Sequence, residues 1–232
     1  MLPVHCPSEQ VMRDEFFNQQ VETLLSFGWH GVLGMAERDF RLWLDLMRLN
    51  RLQGRLLDEV GEAGSDSIPF LIVVPHKMLP IKRQMELLVV GKRRGYASLD
   101  SEKLWNPEGI GGSEFPYLVS GVDDGAGNVG RITKEVAGEI RRACRHGLTF
   151  EEGIALAVHF PRSLSHHAFA LIDTDYQSEP RPTNGACRQC VPEIWLGSDG
   201  PTQNYSWLDS RREDRGVPSC ARRLLLDGKV LF

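Results

Sequence analysis

The chain has 232 residues, of which 41% are hydrophobic and 25% charged, and its 27 basic and 31 acidic side chains give a formal net charge of −4. These values are typical of a globular protein and exclude the disordered and fibrous classes. The pI of about 6.0 disfavours a dedicated nucleic-acid binder. No apolar run reaches the length of a membrane span, so we expect a soluble protein without a membrane partner. The composition leaves the identity of any partner open.

The first third of the chain has the residue spacing of amphipathic helices. A first helix is predicted to end at Gly28, and its apolar residues recur every three to five positions: Met12, Phe16, Val21, Leu24 and Leu25. A second helix follows the i, i+3, i+4, i+7 rule with Phe40, Trp43, Leu44 and Met47, and it is extended by Leu52, Leu56 and Val60. The polar residues 61–67 then predict a connection.

Short strands and helices follow in irregular order. The apolar runs 69–75, 117–122, 168–172 and 191–196 predict strands, whereas 81–90 fits either a helix or a strand. One helix is predicted to run from Thr133 to a stop at Gly147, with Cys144 on its buried face. Thr149 and Glu152 form a Thr-x-x-Glu capping box that opens another helix. Residues 177–186 and 209–218 are predicted to be polar surface loops.

This order of elements indicates an α+β fold rather than a regular βαβ alternation. We expect a single domain, 1–232, in which a helical subregion, 1–64, precedes an α+β subregion, 65–232. In the second subregion, mixed short strands and helices are expected to surround one sheet.

The five cysteines suggest both a compartment and a site. An odd number of cysteines without a signal-peptide pattern favours reduced thiols and a cytoplasmic location. Cys187 and Cys190 form a C-x-x-C pair whose thiolates can hold one zinc ion. Cys220 and either His166 or His167 would complete a tetrahedral site, so zinc is the candidate cofactor. The alternative is that the pair consists of two ordinary reduced cysteines.

A redox role for the same cysteine pair is disfavoured. Val191-Pro192 follows the pair directly and indicates extended chain, whereas a redox C-x-x-C motif sits at a helix N-terminus.

His159, Trp195 and Trp207 are the candidate binding residues. His159 lies at a predicted helix end, where it is either a base or ligand or a structural cation near the helix C-terminus. Trp195 and Trp207, together with Tyr205, line a recognition surface if they are exposed and anchor the core if they are buried.

Several motifs, taken in order along the chain, resemble one protein family. They are Gln20-Val21-Glu22-x-Leu24-Leu25, residues 69–75 (PFLIVVP), Tyr117-Leu118-Val119, residues 148–156 (LTFEEGIAL), His159-Phe160-Pro161, Val191-Pro192-x-x-Trp195 and Ser219-Cys220-Ala221-Arg222. This order resembles the bacterial domain of unknown function family 5701, which is common in actinobacteria. The resemblance covers almost the whole chain and implies one evolutionary unit, and it implies no activity.

No complete catalytic constellation can be assembled from the sequence. Both the Gly-x-Ser-x-Gly nucleophile elbow and the Gly-Lys-Ser/Thr phosphate loop are missing. Arg222 and Arg223 are predicted to lie on a solvated surface rather than at a phosphate site. We therefore favour a binding or interaction protein without catalysis. The alternatives are a zinc-stabilised protein and an enzyme that uses Cys220, Cys190 or His159.

Overall fold

The computed structural model describes residues 9–52, 67–106, 113–177, 189–224 and 230–231. Helices α1 (Glu9–Ser26), α2 (Trp29–Val32) and α3 (Glu37–Leu52) form the N-terminal part. Both predicted helices are confirmed, and Gly28 ends the first of them in the left-handed conformation at φ +78°. The predicted continuation at Leu56 and Val60 lies outside the described residues. None of the described helices is long and apolar enough to cross a membrane.

The rest of the chain is a mixture of short strands and helices, so the α+β class is confirmed. The helices are α4 (Ile81–Leu87), α5 (Thr133–Arg142), α6 (Phe150–His159) and α7 (Pro161–His166). The strands are β1 (Ile68–Val73), β2 (Val89–Val90), β3 (Arg93–Arg94), β4 (Leu104–Trp105), β5 (Tyr117–Val122), β6 (His146–Gly147), β7 (Ala168–Ala170), β8 (Asp175–Tyr176), β9 (Cys190–Leu196), β10 (Pro201–Trp207), β11 (Arg215–Gly216), β12 (Ser219–Cys220), β13 (Arg222–Leu224) and β14 (Val230–Leu231).

The strands form two four-stranded sheets and three two-stranded ladders within the described residues, so the expectation of one sheet is wrong. The first sheet has the antiparallel order β1-β5-β13-β14. The second has the order β10-β9-β7-β11, with β11 parallel to β7. Local periodicity predicts strands but carries no information on which of them pair, because pairing depends on residues distant in the sequence.

One buried apolar cluster connects the N-terminal helices with both four-stranded sheets. It includes Phe17 of α1, Phe40 of α3, Phe70 of β1, Ile154 of α6 and Ile194 of β9, each 0% exposed. Helix α6 lies at the centre of this arrangement, since nine of its ten residues are buried and it contacts both β1 and β9.

Strand β1 is an edge strand whose free side is covered by two side chains. The buried Gln20 of α1 donates to the Phe70 carbonyl at 2.9 Å and accepts from the Ile72 amide at 2.8 Å. His159, at the end of α6, donates from Nε2 to the Ile72 carbonyl at 3.2 Å. An uncovered edge would leave these backbone groups unpaired or open to another strand. Side chains from the two helices therefore pair three backbone groups at this edge of the sheet.

The end of α5 corrects the prediction for Cys144. The helix stops at Arg142, and Cys144 is exposed at φ +53°, outside the helix. The Cys144 amide donates to the Arg141 carbonyl and the Arg145 amide to the Ile140 carbonyl, which is the hydrogen-bond pattern of a Schellman end. Cys144 thus occupies the left-handed position usually taken by glycine, and the predicted stop, Gly147, lies in β6.

The segment 209–218, predicted to be a polar surface loop, is buried at residues 215–218, so the prediction is wrong for this part. Arg215 in β11 is 1% exposed and forms an ion pair with the fully buried Glu193 of β9. A buried carboxylate explains why an arginine is tolerated there.

We predict that Gln20→Ala lowers the free energy of unfolding by about 2–3 kcal/mol, because two edge groups of β1 lose their buried partner. Gln19→Ala is the matched control, since Gln19 is exposed on the same helix and the change in helix propensity is equal. Urea unfolding measures both variants, and equal stability of the two would contradict the edge-covering role.

Candidate functional site

The residues of the predicted zinc site lie on separate elements. Cys190 is buried in β9, Cys220 is buried in β12, and His166 is exposed in the last turn of α7. Cys187 lies outside the described residues, and within those residues no group of three potential ligands is close enough to hold a metal ion. His167, the alternative ligand, donates instead to the Asp124 carbonyl at 2.9 Å. The zinc hypothesis stays a prediction.

Of the three candidate catalytic groups, Cys220 and Cys190 are buried and His159 is partly buried. Burial raises the pKa of the Cys220 thiol to about 12, which keeps it protonated and poorly nucleophilic. Burial lowers the pKa of His159 to about 4, although the hydrogen bond with the Ile72 carbonyl acts in the opposite direction. Its Nδ1 has no hydrogen-bond partner within the described part of the chain. His159 is therefore a neutral imidazole that covers the edge of β1.

The two candidate tryptophans lie on opposite faces of the β9–β10 hairpin. Residues directly opposite in an antiparallel pair share a face, and successive residues alternate. Trp207 pairs with Cys190, and Trp195 pairs with Thr202, so the register separates the two rings. Trp195 lies under the Arg212 guanidinium at 6.0 Å, on the face that carries Glu193. The hairpin therefore does not bring the tryptophans into one site.

Trp207 instead belongs to an aromatic cluster of Tyr176, Tyr205 and Trp207. The rings of Tyr176 and Tyr205 stack at a centroid distance of 5.0 Å, and Trp207 meets Tyr205 edge-to-face at 6.5 Å. Tyr205 is 38% exposed, and its two neighbours are partly buried. Trp105 is also exposed, but it lies on the other face of the β4–β8 ladder from Tyr176.

A second group of polar residues surrounds the first turn of α6. The predicted capping box is confirmed, since the Thr149 hydroxyl accepts from the Glu152 amide and the Glu152 carboxylate accepts from the Thr149 amide. Both Glu151 and Glu152 are buried, at 1% and 0% exposure. Because isolated buried carboxylates are costly, each of them needs its own partners.

Arg223 of β13 is the partner of Glu152. Its Nε and Nη2 atoms donate to the two Glu152 carboxylate oxygens at 2.6 and 2.9 Å, and Nη2 also donates to the Gly147 carbonyl at 2.6 Å. Asp173 accepts from the same Nη2 at 3.2 Å. With 1% exposure, Arg223 is a buried ion-pairing residue, so the prediction of a solvated surface is wrong for this position.

Glu151 has a different set of partners. The Tyr117 hydroxyl donates to its Oε1 at 2.7 Å, and the His76 backbone amide donates to Oε2 at 2.8 Å. The Nδ1 atom of His76 lies 2.7 Å from the same Oε2. The His76 side chain is 42% exposed although Glu151 is fully buried. The hydrogen bond with Glu151 raises the pKa of His76, whereas burial raises the pKa of Tyr117 well above its usual range.

This His76–Glu151–Tyr117 cluster was not predicted from the sequence. His76 follows the apolar run 69–75 as an ordinary loop residue, and the capping box accounts only for Glu152. One signal was present, however. Residues 154–158 are all apolar (IALAV), so this helix has no polar face. A helix that is apolar all round is buried, and this indicates that the two glutamates in its first turn also lie against the core.

A comparison with protein families matches the Family of unknown function (DUF5701) over residues 23–224. The chain belongs to this family. No curated protein and no solved structure matches the chain. The matched range begins within the last turn of α1 and includes α2, α3 and every strand of the two four-stranded sheets except β14. It also includes all the residues of the His76–Glu151–Tyr117 cluster.

We predict that Arg223→Met lowers the free energy of unfolding by about 3–5 kcal/mol, because the Glu152 carboxylate stays buried without its counter-ion. Arg222→Met, at the half-exposed neighbouring position, should change the stability by less than about 1 kcal/mol. The double variant Glu152→Leu/Arg223→Met should be more stable than Arg223→Met alone in urea unfolding. A double variant that is less stable would argue against the pair.

We predict a second effect on stability, at His159. Since its pKa falls from 6.5 to about 4 on folding, the unfolded chain binds a proton in this pH window that the folded chain does not. The free energy of unfolding should therefore fall as the pH is lowered through the window, by about 3 kcal/mol in total. His159→Gln retains an N–H donor for Ile72 but does not titrate, so its stability should depend less on pH. The exposed His166→Gln should keep the wild-type slope, and equal slopes for all three proteins would refute the assignment.

Proposed function

We propose that the chain is a binding protein whose recognition surface is the aromatic cluster of Tyr176, Tyr205 and Trp207. The observation that carries this proposal is the exposure of Tyr205 within a group of three touching rings. Aromatic residues that only fill the core are excluded from water here, as the 0% exposure of Phe17, Phe70 and Phe169 illustrates. A tyrosine that is 38% exposed and held between two other rings presents a rigid amphipathic surface to solvent.

The chemistry of this surface fits a protein partner best. Tyrosine and tryptophan are enriched at the centres of protein interfaces, where they bury a large area and lose little side-chain entropy. Nucleic acid would also stack on such rings, but it needs a positively charged groove. The net charge of −4 does not provide this, and Arg211 and Arg212 are accompanied by Asp209, Glu213 and Asp214. Arg212 is itself paired with Glu193 and Asp214.

We predict that Tyr205→Ser and Trp207→Ser each weaken binding to the protein partner by about tenfold or more, as expected for an aromatic residue at the centre of an interface. The matched control is Trp105→Ser, which removes an exposed aromatic ring from a different face. Affinity capture with the four proteins identifies candidates that the cluster variants lose and the control retains. Calorimetry with the purified candidate then measures the affinities.

The proposal requires a protein that binds the wild type and Trp105→Ser with similar affinity and binds the cluster variants more weakly. If the captured proteins and their affinities are the same for all four chains, the aromatic cluster is not the recognition surface. Circular dichroism of each variant shows that a loss of binding does not come from unfolding.

A further inference from the structure

The His76–Glu151–Tyr117 cluster has a geometry that neither the family nor the aromatic cluster explains. A buried carboxylate that only needs neutralising is well served by a buried cation, as Glu152 is by Arg223. Glu151 instead has an imidazole partner that is 42% exposed. Its two oxygens receive three hydrogen bonds, from the Tyr117 hydroxyl, the His76 amide and the His76 ring. The carboxylate is therefore held rigidly beneath a solvent-facing histidine.

This arrangement determines which nitrogen of His76 is available. The carboxylate of Glu151 accepts a hydrogen bond from Nδ1–H, so the neutral imidazole carries its lone pair on Nε2. Within the described residues no hydrogen bond engages Nε2. A base whose tautomer and orientation are set by a buried carboxylate is the arrangement by which histidine accepts protons in many active sites.

We propose that His76 is the general base of a hydrolytic site that acts on acyl esters, with Glu151 and Tyr117 as positioning residues. In the first step, Nε2 removes a proton from a water molecule while the water oxygen bonds to the ester carbonyl carbon. The resulting tetrahedral oxyanion collapses, the bond from carbon to the leaving oxygen breaks, and the imidazolium returns its proton to that oxygen. The products are a carboxylic acid and an alcohol.

The charges around His76 suit this step. Glu151 stabilises the imidazolium that forms, and this effect outweighs the opposing charge of the exposed Lys77. Glu151 and Lys77 are the charged groups that act on the His76 imidazole among the described residues. The other carboxylate of the turn, Glu152, is paired with Arg223, and its Oε1 also accepts from the Tyr117 hydroxyl at 3.2 Å. Its charge acts on Tyr117 but is not among the charges that act on the His76 imidazole.

The test uses 4-nitrophenyl acetate as the probe ester and the full-length chain. His76→Gln should lower kcat/KM by about a hundredfold, at the lower end of what general acid–base catalysis contributes. His166→Gln is the matched control, because it removes an exposed histidine that lies at the end of α7. This control should retain the wild-type rate. Equal rates for wild type and His76→Gln, or an equal loss in both variants, would overturn the proposal, since exposed imidazoles hydrolyse this ester without a site.

The pH dependence separates the positioning role from a purely structural one. The rate should rise with pH as His76 loses its proton, with a midpoint above the ordinary histidine value. Glu151→Gln should move the midpoint to lower pH because the imidazolium loses its counter-charge. Tyr117→Phe should move it to higher pH because Glu151, with one donor fewer, attracts the proton on His76 more strongly.

Titration of the His76 ring by NMR reports the same shifts without substrate, and it also shows whether each variant is folded. If Glu151→Gln does not fold, Tyr117→Phe still tests the coupling between His76 and Glu151, because it removes a single hydroxyl. Unchanged midpoints in both measurements would refute the coupling between His76 and Glu151.

Discussion

The buried ion pair between Glu152 and Arg223 is the contact on which the centre of this molecule depends. It joins the first turn of α6 to β13 across 71 residues of sequence, and the same guanidinium holds the Gly147 carbonyl and Asp173. Burying two charges is costly, and the cost is met only by this two-point geometry and by the capping box that orients Glu152. Because β13 also pairs with β5, the ion pair sets the position of α6 over the first sheet.

The neighbouring carboxylate, Glu151, takes its environment from this arrangement. Once α6 is placed over the sheet, Glu151 lies against Tyr117 at the start of β5 and against His76 just beyond the end of β1. Two adjacent glutamates therefore have different roles. Arg223 neutralises the charge of Glu152, whereas the charge of Glu151 acts on a histidine that reaches solvent. The Glu152–Arg223 ion pair is therefore structural, whereas we assign chemistry to the His76–Glu151–Tyr117 cluster.

The two histidines around β1 show how strongly the surroundings control the same side chain. The hydrogen bond with a carboxylate raises the pKa of His76, whereas burial lowers the pKa of His159 to about 4 despite its hydrogen bond with a carbonyl. Of the two histidines, only His159 lies in a motif of the family resemblance, His159-Phe160-Pro161. Its side chain covers a strand edge. His76 directly follows the motif 69–75 but is not part of it.

The elements whose signals are local could be predicted without a structure: α1, α3, β1, β5, the capped start of α6, the α+β class and the family. Apolar period and capping act over a few residues, so they can be read without a fold. The folded chain was needed to show that Arg223 is buried, that Trp195 and Trp207 lie on opposite faces, that Cys144 ends a helix, and that His76 contacts Glu151. Each of these depends on strand register, on the way a helix ends, or on a partner such as the one 75 residues away from His76. Charge and periodicity alone do not show which polar groups folding brings together.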